Sequence, residues 1–147
     1  MDMESGRRTW TMREARPEDA GAVKELLESC ELPTDDVGEA MMRRFMLAEA
    51  GGELVGVAGL EVHGRHALLR SVAVAPARRG SGLGAELVRE RAAWSQSHGI
   101  KSLYLLTTTA EPYFAKQGFV TVPRDSAPPE IQASGEFTSL CPSTATL

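Results

Sequence analysis

Hydrophobic residues along the chain follow two spacings, and each spacing predicts one kind of element. Alternation of polar and apolar residues predicts a first strand over residues 10–16. Apolar residues three and four positions apart then predict a first helix over residues 18–29, with Cys30 facing the core. After a break at Pro33, the apolar positions between Val37 and Phe45 predict a second helix.

Three further strands are predicted in the middle of the chain. Residues 45–49 and 54–62 are apolar, and they are joined by Gly51-Gly52, a pair typical of a tight hairpin turn. A turn over residues 63–65 leads into the next strand, over residues 67–74. Because opposed residues of a hairpin share a face, we expect Glu61 and Arg70 on the same side of the sheet.

The rest of the chain predicts one long helix and several short elements. The long helix covers residues 83–98 and ends at Gly99. It is followed by a strand over residues 102–109 and by a short helix over residues 112–117, which Pro112 opens. Two more strands cover residues 120–123 and 136–141, with a proline-rich loop around Pro128 and Pro129 between them. The predicted fold class is α/β, with a mixed, mostly antiparallel sheet of about six to seven strands and about four helices.

Composition narrows the class of protein. The chain has 147 residues, 42% of them hydrophobic and 24% charged, which predicts one globular domain over residues 9–147 after a short tail over residues 1–8. A net charge of −4 argues against nucleic acid as a partner. There is no long apolar run, so we expect a cytoplasmic protein with no membrane partner. The spacing of the histidines and of Cys30 and Cys141 predicts no metal site.

A glycine-rich segment joins the strand that ends at Val74 to the long helix. It reads Arg78-Arg79-Gly80-Ser81-Gly82-Leu83-Gly84. Its glycines permit positive φ, and the first N–H groups of the helix have no internal partner, so the segment can bind an anion. The spacing fits neither a Walker loop nor a dinucleotide fingerprint. A tight connection between strand and helix is the alternative.

The motif R-x-x-G-x-G formed by Arg79, Gly82 and Gly84 follows the strand Val72-Ala73-Val74-Ala75-Pro76. With the amphipathic helix after it and the later Gly118-Phe119 pair, it resembles the acyl-CoA loop of GCN5-related N-acetyltransferases. The resemblance implies the acyl-CoA N-acyltransferase fold and acetyl-CoA as cosubstrate. It places the cosubstrate on Val72, Ala73, Val74, Arg79, Gly80, Ser81, Gly82, Leu83, Gly84, Tyr113 and Phe114.

Two charged residues of the predicted hairpin are candidates for catalysis. Glu61 can accept the proton of an ammonium group, directly or through water, although Glu111 competes for this role. Arg70 stands in an otherwise apolar strand, where an unpaired guanidinium is costly. Its partner is either an anionic group of the acceptor or Glu61 itself, and the sequence leaves both open.

The resemblance also implies roles for polar residues elsewhere. In this family the segment between the first two helices closes over the acceptor, which makes Thr34 a substrate candidate. Alternate hydroxyls at the end of the strand before Pro112 make Thr107 and Thr109 further candidates, although threonines are also good strand formers. Many members carry a tyrosine general acid at the position of Phe114; here the tyrosine is Tyr113, one residue earlier.

Finer resemblances suggest an acceptor. Residues 105–119 resemble the branch that acetylates glutamate and its analogues, and residues 69–76 and 128–142 resemble small acetyltransferases found with arsenic-resistance genes. This implies N-acetylation of a small acidic amino acid, of the glutamate, arsinothricin or phosphinothricin type, in arsenic or antibiotic resistance. The alternatives are an acetyltransferase for an unrelated amine, or a ligand sensor that binds arsenic through Cys141. The sequence does not decide whether the chain forms a homodimer.

Overall fold

A computed structural model describes residues 10–107, 110–133 and 144–146. The predicted N-terminal tail and the predicted strand over residues 136–141 lie outside the described residues. Within these residues, seven strands form one sheet in the order β1-β2-β3-β4-β5-β7-β6. Their bounds are β1 Thr11–Glu14, β2 Phe45–Ala50, β3 Glu53–His63, β4 His66–Val74, β5 Ser102–Leu106, β6 Val120–Val122 and β7 Thr144–Thr146.

The pairing confirms the predicted mixed sheet. Among the described strands, β4 and β5 pair in parallel, and the other neighbours pair antiparallel. In the described part of the chain, four α-helices accompany the sheet: α1 Ala20–Ser29, α2 Leu83–Ser97, α3 Glu111–Lys116 and α4 Pro129–Gln132. Three-residue 3-10 turns cover Pro17–Asp19, Pro76–Arg78 and Arg124–Ser126, and a longer 3-10 helix covers Glu39–Arg44. None of the described helices is long and apolar enough to cross a membrane.

Several elements differ from the sequence prediction, among them the strand predicted to reach residue 109, which ends at Leu106. The predicted second helix is wrong, because residues 39–44 form a 3-10 helix and Phe45 already begins β2. A spacing of three between Met42 and Phe45, both fully buried, suits a 3-10 turn as well as an α-helix. The first strand ends at Glu14, ahead of the predicted residue 16. The predicted proline-rich loop contains α4, which starts at Pro129, a residue accepted at a first helical position.

Alternate residues of the central strands pack against helices on opposite faces of the sheet. Met46 and Ala48 belong to a core cluster with Leu87 of α2, while Phe45 and Leu47 belong to a cluster with α1. Strand periodicity therefore buries β2 on both faces, with α2 on one side and α1 on the other. This arrangement fixes the position of β3 and β4 between the two helices.

The ring of Phe45 packs directly over Gly59 of β3, so a side chain at position 59 would overlap it. We expect Gly59→Ala to lower the free energy of unfolding by about 1–3 kcal/mol, the usual cost of overpacking a core. Gly38→Ala is the matched control, because Gly38 is extended and a methyl group there would meet no atom within 4 Å. Urea unfolding of both variants measures the difference, and equal stabilities would show that Phe45 can move aside.

Candidate active site

The sheet opens between β4 and β5. Their parallel pairing runs from His66 opposite Ser102 to Leu69 opposite Leu105. Beyond Leu69, β4 continues to Val74, outside the ladder that the structure describes with β5. β4 therefore extends past the end of its pairing with β5, which leaves room for a ligand at the carboxyl ends of the two strands.

A bulge in β4 lies at the same place. Gly59 pairs with Arg70 and Val57 pairs with Ala73, so two residues of β4, Ser71 and Val72, face one residue of β3. Ser71 has φ of 57°, a conformation that residues other than glycine rarely adopt. A bulge takes one residue out of the ladder and redirects the polar groups of the backbone. The bulge therefore lies beside the opening between β4 and β5, at Ser71 and Val72.

A cavity of about 420 Å³ fills this opening. Its walls are the end of β4, the glycine-rich loop, the start of α2 and one side of α3. The lining residues are Val72, Ala73, Val74, Arg78, Arg79, Gly80, Gly82, Leu83, Gly84, Ala85, Ala110, Tyr113 and Phe114. Of the predicted cosubstrate residues, Ser81 alone is absent from these walls; its hydroxyl donates to the carbonyl of Arg78 at 2.5 Å and closes the turn. We call this space the donor cavity.

The loop in the donor cavity fits an anionic group. Gly80 and Gly82 have φ of 79° and 90°, and a Cβ on either would meet no atom within 4 Å. Open space therefore lies beside the N-terminus of α2, a helix of 15 residues whose first N–H groups and dipole favour negative charge. Arg79 adds positive charge, and its Nε donates to the carbonyl of Val74 at 3.2 Å. Its Nη2 contacts the sulfur of Cys30 at 3.4 Å, so Cys30 lies beside this loop and is only partly buried.

Tyr113 and Phe114 of α3 form the opposite wall. Phe114 is buried and makes an edge contact with Phe119, with ring centroids 5.8 Å apart. The Tyr113 hydroxyl lies over Gly84, because a Cβ at that glycine would be 2.5 Å from the oxygen. Burial raises the pKa of Tyr113 above its ordinary value, so the phenol stays protonated at neutral pH. The displaced tyrosine thus keeps its hydroxyl at the donor cavity and remains able to donate a proton.

A second cavity, of about 130 Å³, adjoins the first and shares Val72, Ala110 and Phe114 with it. Its other lining residues are Leu32, Pro33, Leu69, Arg70, Ser71, Leu105, Leu106 and Thr107. We call it the acceptor cavity. The two cavities meet at the bulge, so groups bound in them can approach each other at Val72.

Arg70 lies in the wall of the acceptor cavity and pairs with two carboxylates. Its side chain is fully buried. Nη1 and Nη2 donate to the two oxygens of Asp36 at 2.6 and 2.7 Å, and Nη1 also donates to Glu61 at 2.5 Å. The Arg70–Glu61 ion pair that the sequence left open is therefore present. The hydrogen bond from Arg70 lowers the pKa of Asp36, which stays ionised at neutral pH.

The structure separates the two candidate bases. The second carboxylate oxygen of Glu61 lies 3.1 Å from Nε2 of His63, whose side chain is 30% exposed and links Glu61 to the surface. Neither glutamate is among the residues that line the two cavities, but Glu61 contacts Arg70, which lines the acceptor cavity, whereas Glu111 accepts a hydrogen bond from the hydroxyl of Thr121. Glu61 is therefore the better placed of the two.

Of the three threonines predicted to bind the acceptor, Thr107 alone is found in the wall of a described cavity. Thr107 lines the acceptor cavity, and its hydroxyl oxygen accepts from the N–H of Ala110 at 3.0 Å. The hydroxyl of Thr34 points back to Glu28 of α1, at 3.4 Å. Thr109 and Cys141 lie outside the described residues. Asp36, two residues after Thr34, contacts Arg70 instead. Sequence spacing could not indicate this contact, because Asp36 lies in an irregular turn.

The chain belongs to the acetyltransferase (GNAT) family, whose family model matches residues 9–119. This span contains β1 to α3 and every residue that lines the two cavities. The loop and the opening of the sheet described above are thus part of the family's own domain.

Curated relatives agree with this assignment, and a solved structure shares the fold. The chain is 44% identical over 92 residues to the mycothiol acetyltransferase of Nocardia farcinica, covering 55% of this chain and 30% of that protein. It is 30% identical over 125 residues to the amino-acid acetyltransferase of Ralstonia nicotianae, covering 80% and 28%. N-acetylglutamate synthase from Neisseria gonorrhoeae, solved with coenzyme A and N-acetyl-glutamate, has a TM-score of 0.84 at 22% identity, over 95% of this chain and 35% of that one. The chain thus spans under a third of both curated relatives.

Proposed function

We propose that this chain is an acetyl-CoA-dependent N-acetyltransferase that acts on the amine of a small acidic amino acid. The observation that carries the proposal is the meeting of the donor and acceptor cavities at the bulge of β4. A transfer reaction needs two ligands held with their reacting atoms together, and two cavities that meet at one point would hold them so. The names of relatives, amino-acid acetyltransferase and mycothiol acetyltransferase, support an amine acceptor.

The donor cavity suits acetyl-CoA, which supplies an activated acetyl thioester. The glycine-rich loop and the start of α2 would hold its pyrophosphate, with Arg79 adding charge. The backbone of residues 72–74 would lie along the pantetheine arm and direct an N–H group to the acetyl carbonyl, where negative charge develops. Water, or the phenol of Tyr113 whose hydroxyl lies over Gly84, would return a proton to the departing sulfur.

The acceptor cavity suits an amine that also carries an anionic group. Glu61 would take the proton of the ammonium, directly or through water, and His63 would connect it to solvent. Arg70 would bind the anionic group, because a guanidinium fork matches two oxygens. Thr107 lines the same cavity and adds a polar contact.

The acceptor we propose is glutamate-like, of the glutamate, arsinothricin or phosphinothricin type, which would give the protein a role in arsenic or antibiotic resistance. The support is the sequence resemblance over residues 69–76 and 105–119, together with Arg70 in the acceptor cavity. Competition between L-glutamate, phosphinothricin and arsinothricin for acetylation in one reaction ranks the three acceptors. A preference for a neutral amine over all of them would contradict the acidic acceptor.

Arg70→Lys is expected to lower kcat/KM for an acidic amino acid by a factor that corresponds to about 1–3 kcal/mol of lost transition-state stabilisation. The reason is that lysine keeps the charge but loses the planar fork of the guanidinium. The same variant should change kcat/KM for the corresponding amide little, since the amide has no anion to bind. Steady-state kinetics with the acid and the amide measure both effects. Equal losses for both acceptors would assign Arg70 solely to its pairing with Glu61 and Asp36.

A further inference from the structure

The edge of Arg70 that could bind an acidic ligand is occupied by Asp36. Both oxygens of the Asp36 carboxylate face the two terminal nitrogens of the guanidinium, at 2.6 and 2.7 Å. Glu61 makes one contact with Arg70 and places its other oxygen beside His63. Asp36 therefore makes the two-oxygen contact that an acceptor carboxylate would make.

Asp36 and Glu61 are held by different parts of the fold. Glu61 lies within β3, between β2 and β4, and its side chain is 14% exposed. Asp36 lies in a turn that is closed by a hydrogen bond from the Val37 N–H to the Thr34 carbonyl, and its side chain is 33% exposed. Asp36 is therefore the more exposed of the two carboxylates and can leave Arg70 for water, whereas Glu61 is more buried and is also held by His63.

The same segment covers the acceptor cavity. Leu32 and Pro33, directly before the turn, line that cavity together with Arg70. Val37, directly after Asp36, is 2% exposed and anchors the far end of the turn in the core. The contact between Asp36 and Arg70 therefore holds a short segment against the cavity that the acceptor must enter.

We propose that Asp36 occupies the position on Arg70 that the anionic group of the acceptor takes, and that this exchange opens the turn over the acceptor cavity. The inference rests on the proposed function, because it assumes an acidic acceptor. The exchange keeps two carboxylates on the buried guanidinium, so its charge is never left uncompensated. A neutral amine has no carboxylate to replace that of Asp36 on the guanidinium. Asp36 therefore selects for acidic acceptors.

Hydrogen–deuterium exchange of the backbone amides, measured without acetyl-CoA, tests directly whether the carboxylate of a ligand replaces that of Asp36. Addition of L-glutamate or phosphinothricin to the wild type should accelerate exchange over residues 34–38, while the diamide of L-glutamate should leave it unchanged. Asp36→Asn should show rapid exchange there without ligand, and neither acid should raise it further. Asp35→Asn, which removes the neighbouring charge of the same turn, should behave like the wild type.

Calorimetry on the same proteins gives the affinity. Asp36→Asn should bind the preferred acid at least about fivefold more tightly than the wild type, since the internal competitor is gone. Weaker binding by Asp36→Asn, or no faster exchange over residues 34–38 of the wild type with either acid, would overturn the proposal. The wild-type measurement alone decides if Asp36→Asn does not fold.

These readouts need no acetyl transfer, so they separate this inference from the proposed function. A protein that shows the exchange and yet acetylates no amine would keep the role of Asp36 and overturn the proposed activity. An active acetyltransferase whose turn does not open would do the reverse.

Discussion

Replacement of Glu61 by glutamine is expected to lower kcat by about 100-fold or more at neutral pH, the usual contribution of a general base. An α-amine is mostly protonated at that pH, so it must lose a proton before it can attack. Glutamine keeps an oxygen that can accept from Arg70 but cannot take up that proton. Above the pKa of the acceptor amine, the loss should shrink, because the free amine needs no base.

The rate of acetyl transfer measured from neutral pH to above the amine pKa checks this expectation. Glu53→Gln is the control, since Glu53 is an exposed carboxylate at the other end of the same strand. A loss that is equally large at high pH would assign Glu61 a structural role beside Arg70 and His63.

Gly82→Val is expected to raise the KM for acetyl-CoA by about 10- to 100-fold, which corresponds to about 1.4–2.8 kcal/mol of lost binding. Gly82 has φ of 90° at the first turn of α2, and a side chain there would enter the open space beside the helix N-terminus. That space is where we place the pyrophosphate, so the new methyl groups would exclude it.

Gly99→Val controls for backbone strain in this experiment. Gly99 has φ of 79°, and a Cβ there would also meet no atom within 4 Å, but it lies past the other end of α2. Both variants should lose stability because valine resists positive φ, and only Gly82→Val should lose affinity for acetyl-CoA. If the two variants bind acetyl-CoA equally well, the loop is a connection between strand and helix and not a phosphate site.

The elements that sequence predicted well are those whose signal is local. The hairpin at Gly51-Gly52 and the loop over residues 78–84 are contiguous, and glycine marks the positions of positive φ. The 3-10 helix at residues 39–44 was missed because spacings of three suit both kinds of helix in so short a segment.

The acceptor cavity was less predictable because it depends on contacts between distant segments. Asp36 and Arg70 are far apart in the sequence and meet only in the folded chain, where α1 packs against the sheet that contains β4. Asp36 also lies in a turn with no periodic pattern. The bulge at Ser71 also has no sequence signal, since the residue with positive φ is not glycine. Arg70 was recognisable because a charge inside an apolar strand requires a partner.

Acetyl transfer to a panel of amines tests the central proposal most directly. The purified chain, given acetyl-CoA and L-glutamate, phosphinothricin, arsinothricin or the diamide of L-glutamate, should release free coenzyme A and form an N-acetyl product. Turnover should be fastest with an acidic amino acid and should fall with Gly82→Val and with Glu61→Gln. Tight binding of acetyl-CoA without acetylation of any amine would contradict the account and would favour a protein that senses a ligand.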